Sequence, residues 1–359
     1  MALQGKGLYI WKVHRCEGGD PAAIVRRARE AGLTHVLIKI ADGPRAYNVD
    51  LAAPVVEALQ AAGLQAWGWQ FAYGDEPFGE ADIAVHRMNT LKLDGFVVNA
   101  ETAYKDKHAA ARAYMESLRG RLPDAPIALS SFRYPRLHPE LPWAEFLTDC
   151  NYNMPQVYWL QAHNPAEQLE RCIEQFQQVY PVRPIIPTGA AYFEFGWQPS
   201  PNEVTRFLQK SRELGLSAAN FWSWDYAGNE GRDLWDAIAA FDWPVDEPPR
   251  DIIERYVSRL NKGKIDKIIK LYQPDAVHVT PERIIQGHDA LLEYYTDLLS
   301  NQLPDATFTL ETLVSEGYVR HFRWDAASPN GKRVVDGRDT VALRQGKIQY
   351  HSSIYKISE

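Results

Sequence analysis

Cysteine is scarce: the 359-residue chain has three, Cys16, Cys150 and Cys172, an odd number with no CxxC spacing. In a chain this long they read as free thiols in a reducing compartment, which excludes a disulfide frame or a cysteine-zinc site. The ten histidines form neither HExxH nor any other paired ligand spacing, so no built-in metal site is expected. There is no GxGxxG run, no P-loop and no GxSxG elbow, so neither a nucleotide cofactor nor a serine-hydrolase elbow is written in the chain. No stretch approaches ~18 consecutive apolar residues, and Met1 to Gly7 lacks the basic start and apolar run of a signal peptide. Positive charge is lacking as well. The net charge is −7; residues 1–248 hold 23 basic and 31 acidic side chains, and the remainder 16 and 15. Neither part has the positive field that nucleic acid requires. The absences leave a cytoplasmic protein that needs no nucleic acid, membrane or cofactor.

What is present is tryptophan, unevenly spread. Ten of the eleven lie before residue 244, and only Trp324 lies after it. The length predicts two domains, and Trp243-Pro-Val-Asp-Glu-Pro-Pro-Arg250 reads as a Pro-rich linker joining them. The expected division is 1–244, a linker at 245–250, and 251–359. The first part repeats a strand-then-helix rhythm about eight times. Its strands begin with Leu8–Val13 and Thr34–Ile40 and end with Ile185–Gly189 and Ala218–Trp224. They are continuously apolar, as a parallel sheet buried on both faces requires. Eight units in ~240 residues fit an α/β fold of the (β/α)₈ TIM-barrel type. The second part opens with helices at Asp251–Leu260, Ile265–Tyr272 and Ala290–Leu299. Strand-like runs follow, which predicts a smaller α+β layer with a cone-shaped cavity.

Barrel chemistry sits at the C-terminal ends of the strands. Those ends read Trp11 and Lys12; Lys39 and Asp42; Trp67, Trp69 and Gln70; Asn99 and Glu101; Ser130, Ser131 and Arg133; Gln156, Tyr158 and Trp159; Thr188, Tyr192 and Glu194; Trp222, Trp224 and Asp225. Indoles stack on the apolar faces of sugar rings, and carboxylates do acid/base work on glycosidic bonds. The segments Thr34–Gly43, Asp94-Gly-Phe-Val-Val-Asn-Ala-Glu101 and Ala219-Asn-Phe-Trp-Ser-Trp224 resemble the barrel of lysozyme-like glycoside hydrolases of family 25. The resemblance implies a glycan substrate and a catalytic acid at Glu101. It also marks two departures. Asn99 stands where that family has Asp, and the first strand reads Tyr9-Ile-Trp-Lys12 where the family has an Asp. The second carboxylate is then expected from Asp225, Glu194 or Asp42, with Asp225 first because it directly follows Trp222 and Trp224 on the last strand. Trp11, Asp42, Trp67, Trp69, Asn99, Gln156, Tyr158, Trp159, Trp222 and Trp224 are the expected substrate-binding set. A barrel that binds carbohydrate without cleaving it is the alternative.

In the second part, Tyr256, Leu271-Tyr272, Ile285-Gln-Gly287, Val335-Asp-Gly337, Gly346-Lys-Ile348 and His351 occur in an order that resembles the SnoaL-like branch of the nuclear transport factor 2-like superfamily. The resemblance implies a cone with an internal pocket, an Asp/His pair at Asp339 and His351, and lining from His278, Tyr294, His321 and Trp324. It also implies a dimerising module, so a homodimer through this domain is expected. Acid/base chemistry on a small molecule in this pocket is a further alternative for the function.

Overall fold

The computed structural model describes residues 3–245, 251–344 and 346–358. The chain divides into two compact units, one of residues 1–59 and 64–249, the other of residues 60–63 and 250–359. Of the expected linker, residues 246–250 lie outside the described residues.

In the first unit eight strands run parallel and close on themselves. They are β1 (Gly5–Ile10), β2 (Leu33–Asp42), β3 (Gln65–Ala72), β4 (Gly95–Ala100), β5 (Ile127–Phe132), β6 (Tyr152–Val157), β7 (Thr188–Ala190) and β8 (Ala218–Trp222). Each pairs with the next, and β1 pairs with both β2 and β8. The helices between them start where local chemistry dictates. Before α1 (Pro21–Glu30), the Asp20 carboxylate accepts the Ala22 amide and Pro21 takes the first turn, where a missing N–H costs nothing. Before α7 (Pro201–Glu213), Ser200 and Glu203 cap each other's backbone amides.

Three strand ends differ from the sequence reading. Strand β1 stops at Ile10, and Val13–Arg15 form a 3₁₀ turn instead. Strand β7 shrinks to three residues, because Pro184 and Pro187 have no N–H to give the ladder; Ile185 keeps only an isolated bridge to Asn153. Strand β8 ends at Trp222, and Trp224–Ala227 turn into the short helix α8, which carries Asp225 back over the barrel mouth.

The second unit has helices α10 (Ile252–Leu260), α11 (Ile265–Ile269) and α12 (Gly287–Asp297). Its strands are β9 (Tyr272–Val279), β10 (Ile284–Gln286), β11 (Thr307–Glu316), β12 (Val319–Ala327), β13 (Arg333–Arg344) and β14 (Lys347–Ile354), with the short β15 (Ile357–Ser358). The sheet order is β10-β9-β14-β13-β12-β11, and β15 pairs with β13. Only β9 and β14 run parallel. Tyr272, expected at the end of a helix, opens β9 instead. Its ring is buried in the core with Tyr256, Tyr295, Phe322 and Ile348.

Candidate functional site

Alternate residues of a barrel strand point inward, one pleat repeat of about 6.6 Å apart. Tyr9, Leu37, Trp67, Trp69, Val97, Ala128, Met154 and Ile186 share one interior cluster. Following the same parity toward the strand ends brings Lys39, Phe71, Asn99, Gln156 and Trp222 to the wall of a cleft of about 670 Å³. That volume is in the range of small-ligand sites.

Glu101 lies one residue beyond β4, on the parity of Asn99, and lines this cleft. Its Oε1 accepts from Asn99 Nδ2 at 3.1 Å and from Gln156 Nε2 at 2.9 Å. The same Gln156 nitrogen donates to Asn99 Oδ1 at 2.9 Å. Two amides thus hold one oxygen of the carboxyl, while Oε2 has no hydrogen bond among the described residues. A proton carried by Glu101 therefore belongs on Oε2. Tyr158 lines the cleft beside this group, and burial pushes its phenol well above the usual range.

The other carboxylates are committed differently. Asp225 also lines the cleft, but its Oδ2 and Oδ1 accept the backbone amides of Trp11 and Lys12, each at 2.7 Å. Burial raises its pKa, and those amides oppose the rise. Each oxygen thus holds one amide of the residues just past β1, which fixes the orientation of the carboxyl. Glu194 lines the cleft from an exposed hairpin whose tip residues, Phe195 and Gly196, both have positive φ, the geometry of a tight two-residue turn. Asp42 does not line the cleft; its Oδ1 receives Lys39 Nζ at 3.2 Å and the Tyr73 hydroxyl at 3.4 Å.

The tryptophans separate by depth and by facing. Trp11, Trp69 and Trp222 line the cleft, and Trp222 packs 5.4 Å from Trp69 and 6.3 Å from Trp11. Trp67, expected in the sugar cleft, is fully buried one pleat repeat below Trp69, where it fills the barrel against Tyr152. Trp159 and Trp224 were expected beside Tyr158 and Trp222, and each faces the opposite way. Trp159 packs on Phe207 of α7, and Trp224 on Trp235 with its indole N–H on Glu17. Trp159 directly follows Tyr158 and takes the opposite face, whereas Trp224, two residues past Trp222, leaves the cleft because the chain turns into α8 after Ser223. Tyr9, Phe193 and Tyr226 line it without having been singled out. Tyr9 was readable from its parity with Trp11, whereas Phe193 and Tyr226 come from loops with no periodicity to read.

In the second unit the polar residues meet in the core. His351 Nε2 and Asp339 Oδ2 are 2.7 Å apart, Ser353 Oγ donates to the same oxygen at 2.9 Å, and Trp324 Nε1 donates to Oδ1 at 2.9 Å. His351 Nδ1 faces the Tyr272 hydroxyl at 2.7 Å, and that hydroxyl continues to Tyr295 and then Tyr256. His278 stacks on His351 at 4.0 Å and bonds Ser353 Oγ at 2.8 Å. Burial holds His278 well below the usual histidine range. The cavity beside Asp339, Ser353, Tyr294, Trp324 and Tyr355 measures about 10 Å³, room for a single water. His321, an expected lining residue, is exposed on the other face of β12 and bonds Thr340 at 2.9 Å. Its immediate neighbour Phe322 is the residue that points inward.

Residues 253–351 match the SnoaL-like domain family. The second unit is therefore a SnoaL-like domain. Solved structures similar to it include an NTF2-like protein of unknown function from Cytophaga hutchinsonii, at 16% identity over 30% of this chain and 88% of that one, with a TM-score of 0.26. An NTF2-like protein of unknown function from Burkholderia xenovorans is 18% identical over 29% of this chain and 80% of that one, TM-score 0.26. A third, described as a proposed isomerase of the SnoaL-like family from Agrobacterium tumefaciens, is 22% identical over 29% and 94%, TM-score 0.27. No curated protein matches the chain. Among the described residues no helix is long and apolar enough to cross a membrane.

Proposed function

We propose that the barrel mouth hydrolyses a glycosidic bond next to a 2-acetamido sugar, with Glu101 as the proton donor and the substrate's own acetamido oxygen as the nucleophile. The observation that carries this reading is the Asn99–Glu101–Gln156 triangle opening onto an aromatic cleft, in which both oxygens of Asp225 are held by backbone amides of Trp11 and Lys12 while Oε2 of Glu101 has no hydrogen bond among the described residues. Most glycosidases need two free carboxyls, and a minority replace the second with the substrate's acetamido group. In this reading the Glu101 Oε2 proton goes to the glycosidic oxygen as the C1–O bond breaks, and the acetamido oxygen closes on C1. The ring so formed is a cationic oxazolinium that keeps its N–H; water then attacks C1, opens the ring to the acetamide and gives its surplus proton to the Glu101 carboxylate. Asn99 Oδ1 keeps a lone pair beyond its bond to Gln156, and this accepts the acetamido N–H. Trp222 and Trp11 supply ring faces for the sugar, backed by the buried Trp69. The resemblance of the barrel sequence to lysozyme-like hydrolases supports the same substrate class.

The test is turnover of oligosaccharides with and without 2-acetamido groups, wild type beside Glu101→Gln. Cleavage confined to acetamido substrates and lost in the variant upholds the reading. Equal cleavage of sugars lacking the group removes the acetamido nucleophile, and binding without cleavage by the wild type leaves a carbohydrate-binding barrel. A second reading rests on the Asp339–His351 pair beside its small cavity: a ligand-binding or isomerase-type role for the SnoaL-like domain. An Asp-oriented imidazole moves protons between atoms of a small molecule.

A further inference from the structure

Lys39 is 5% exposed, yet it lines the cleft. An ammonium has three N–H donors. One goes to Asp42 Oδ1 at 3.2 Å, and no other acceptor bonds Nζ among the described residues. The rest of its surroundings are rings: Tyr47 at 4.6 Å, Trp69 at 4.9 Å and Trp11 at 5.7 Å from Nζ to the centroids. Aromatic faces hold a cation in place without saturating its donors. Burying an ammonium is expensive, and a methionine or leucine would fill this strand position at less cost. Asp42 is a loose counter-ion, more than a third exposed and shared with Tyr73. A second ammonium, Lys12 Nζ, lies 4.6 Å from the Trp11 ring. Trp11 itself is 41% exposed.

We infer that Lys39, set beside the open face of Trp11, is a recognition point for an anionic substituent, so that the glycan taken by this cleft carries an acidic sugar. The wall presents a flat apolar face and unfilled N–H donors together, and an acidic sugar presents a ring face and a carboxylate or sulfate together. Strands β2 and β4 are two positions apart in the barrel, about 10 Å at the usual strand spacing. The charge is therefore read away from the bond addressed by Glu101, and Lys39 sets specificity rather than performing chemistry. The inference rests on the carbohydrate reading of the barrel.

The experiment is calorimetric titration of Glu101→Gln, which binds without turning over, with neutral, carboxylated and sulfated oligosaccharides of equal length at low and high salt. The expected result is at least tenfold tighter binding of one acidic series over the neutral one. High salt should shrink that preference, and adding Lys39→Met should abolish it while changing neutral binding less than twofold. Which acidic series wins identifies the anion. Equal affinity for neutral and acidic sugars overturns the inference and leaves the carbohydrate reading intact, as does a Lys39→Met loss shared equally by both. Failure of every sugar to bind removes both. Where Lys39→Met does not fold, the salt dependence measured with Lys39 in place still separates these outcomes.

Discussion

The barrel mouth and the core of the SnoaL-like domain each gather acidic, amide, hydroxyl and aromatic groups, and they spend them in opposite ways. In the SnoaL-like core the carboxyl of Asp339 takes bonds from His351, Ser353 and Trp324, and the imidazole of His351 is closed off on its far side by Tyr272. The Asp339 and His351 valences there end on other protein groups, with His278 Nδ1 the buried exception, and the space left is about 10 Å³. At the barrel mouth Glu101 keeps one oxygen free, Lys39 keeps unfilled donors, and the space is about 670 Å³. A saturated polar network stabilises a fold, because every buried group is compensated. An unsaturated one facing a void is what a ligand completes.

The largest expected effect tests the mouth. Glu101→Gln should lower turnover of a cleaved glycan by about three orders of magnitude, the usual worth of a general acid. It should leave the urea midpoint almost unmoved; a large loss of stability would show that Glu101 is structural like Asp339. The converse variant, Asp339→Ala, should destabilise the SnoaL-like domain by about 3 kcal/mol, because it strands the donors of His351, Ser353 and Trp324. Chemical denaturation followed by hydrogen exchange of the amides of residues 251–358 reads this, and an unchanged midpoint would place that network outside the stability of the domain.

Acid sharpens the comparison next. His35, buried under the barrel with Nε2 2.6 Å from Asn220, is drawn by burial down to about 4. A folded pKa below the unfolded value means that the native state resists taking the proton. The barrel should therefore keep its full stability above about pH 6.5 and lose on the order of 3 kcal/mol as pH falls toward 4. Denaturation midpoints at pH 7 and pH 5 measure the onset, and a flat profile would dismiss His35 as its cause. The smallest effects separate neighbouring indoles. Trp222→Ala should weaken sugar binding about tenfold by removing a ring face. Trp224→Phe should change it by less than about twofold, since that indole packs on Trp235 outside the cleft.

Much of the fold was legible because buried parallel strands leave continuous apolar runs, and Thr34–Ile40, Gln65–Tyr73 and Gly95–Ala100 fall on β2, β3 and β4 almost residue for residue. The strand that misled was β7, where the apolar run Ile185–Ile186 sits between prolines that withhold ladder donors. At the site, type and position were legible for Asn99, Glu101, Gln156, Tyr158 and Trp222, all brought to one cleft. Facing was not. Trp159 follows directly on Tyr158 and Trp224 stands two residues past Trp222, and a strand end that breaks its alternation into a loop or helix gives no periodic cue to direction.

By itself, the sequence determined that eight strand–helix units precede a helix-and-sheet module, because apolar periodicity and capping residues act locally. It also determined which chemical groups stand at the strand ends. Only the tertiary structure decided which of those groups remain free. Asp225 became a clamp on the amides of Trp11 and Lys12, residues more than two hundred positions away in the chain. Glu101 was left with an open oxygen, and Lys39 was drawn into a ring of aromatics. Hydrogen-bond valence is spent on whatever the closed barrel brings within reach, and that partner is not a local property of the chain.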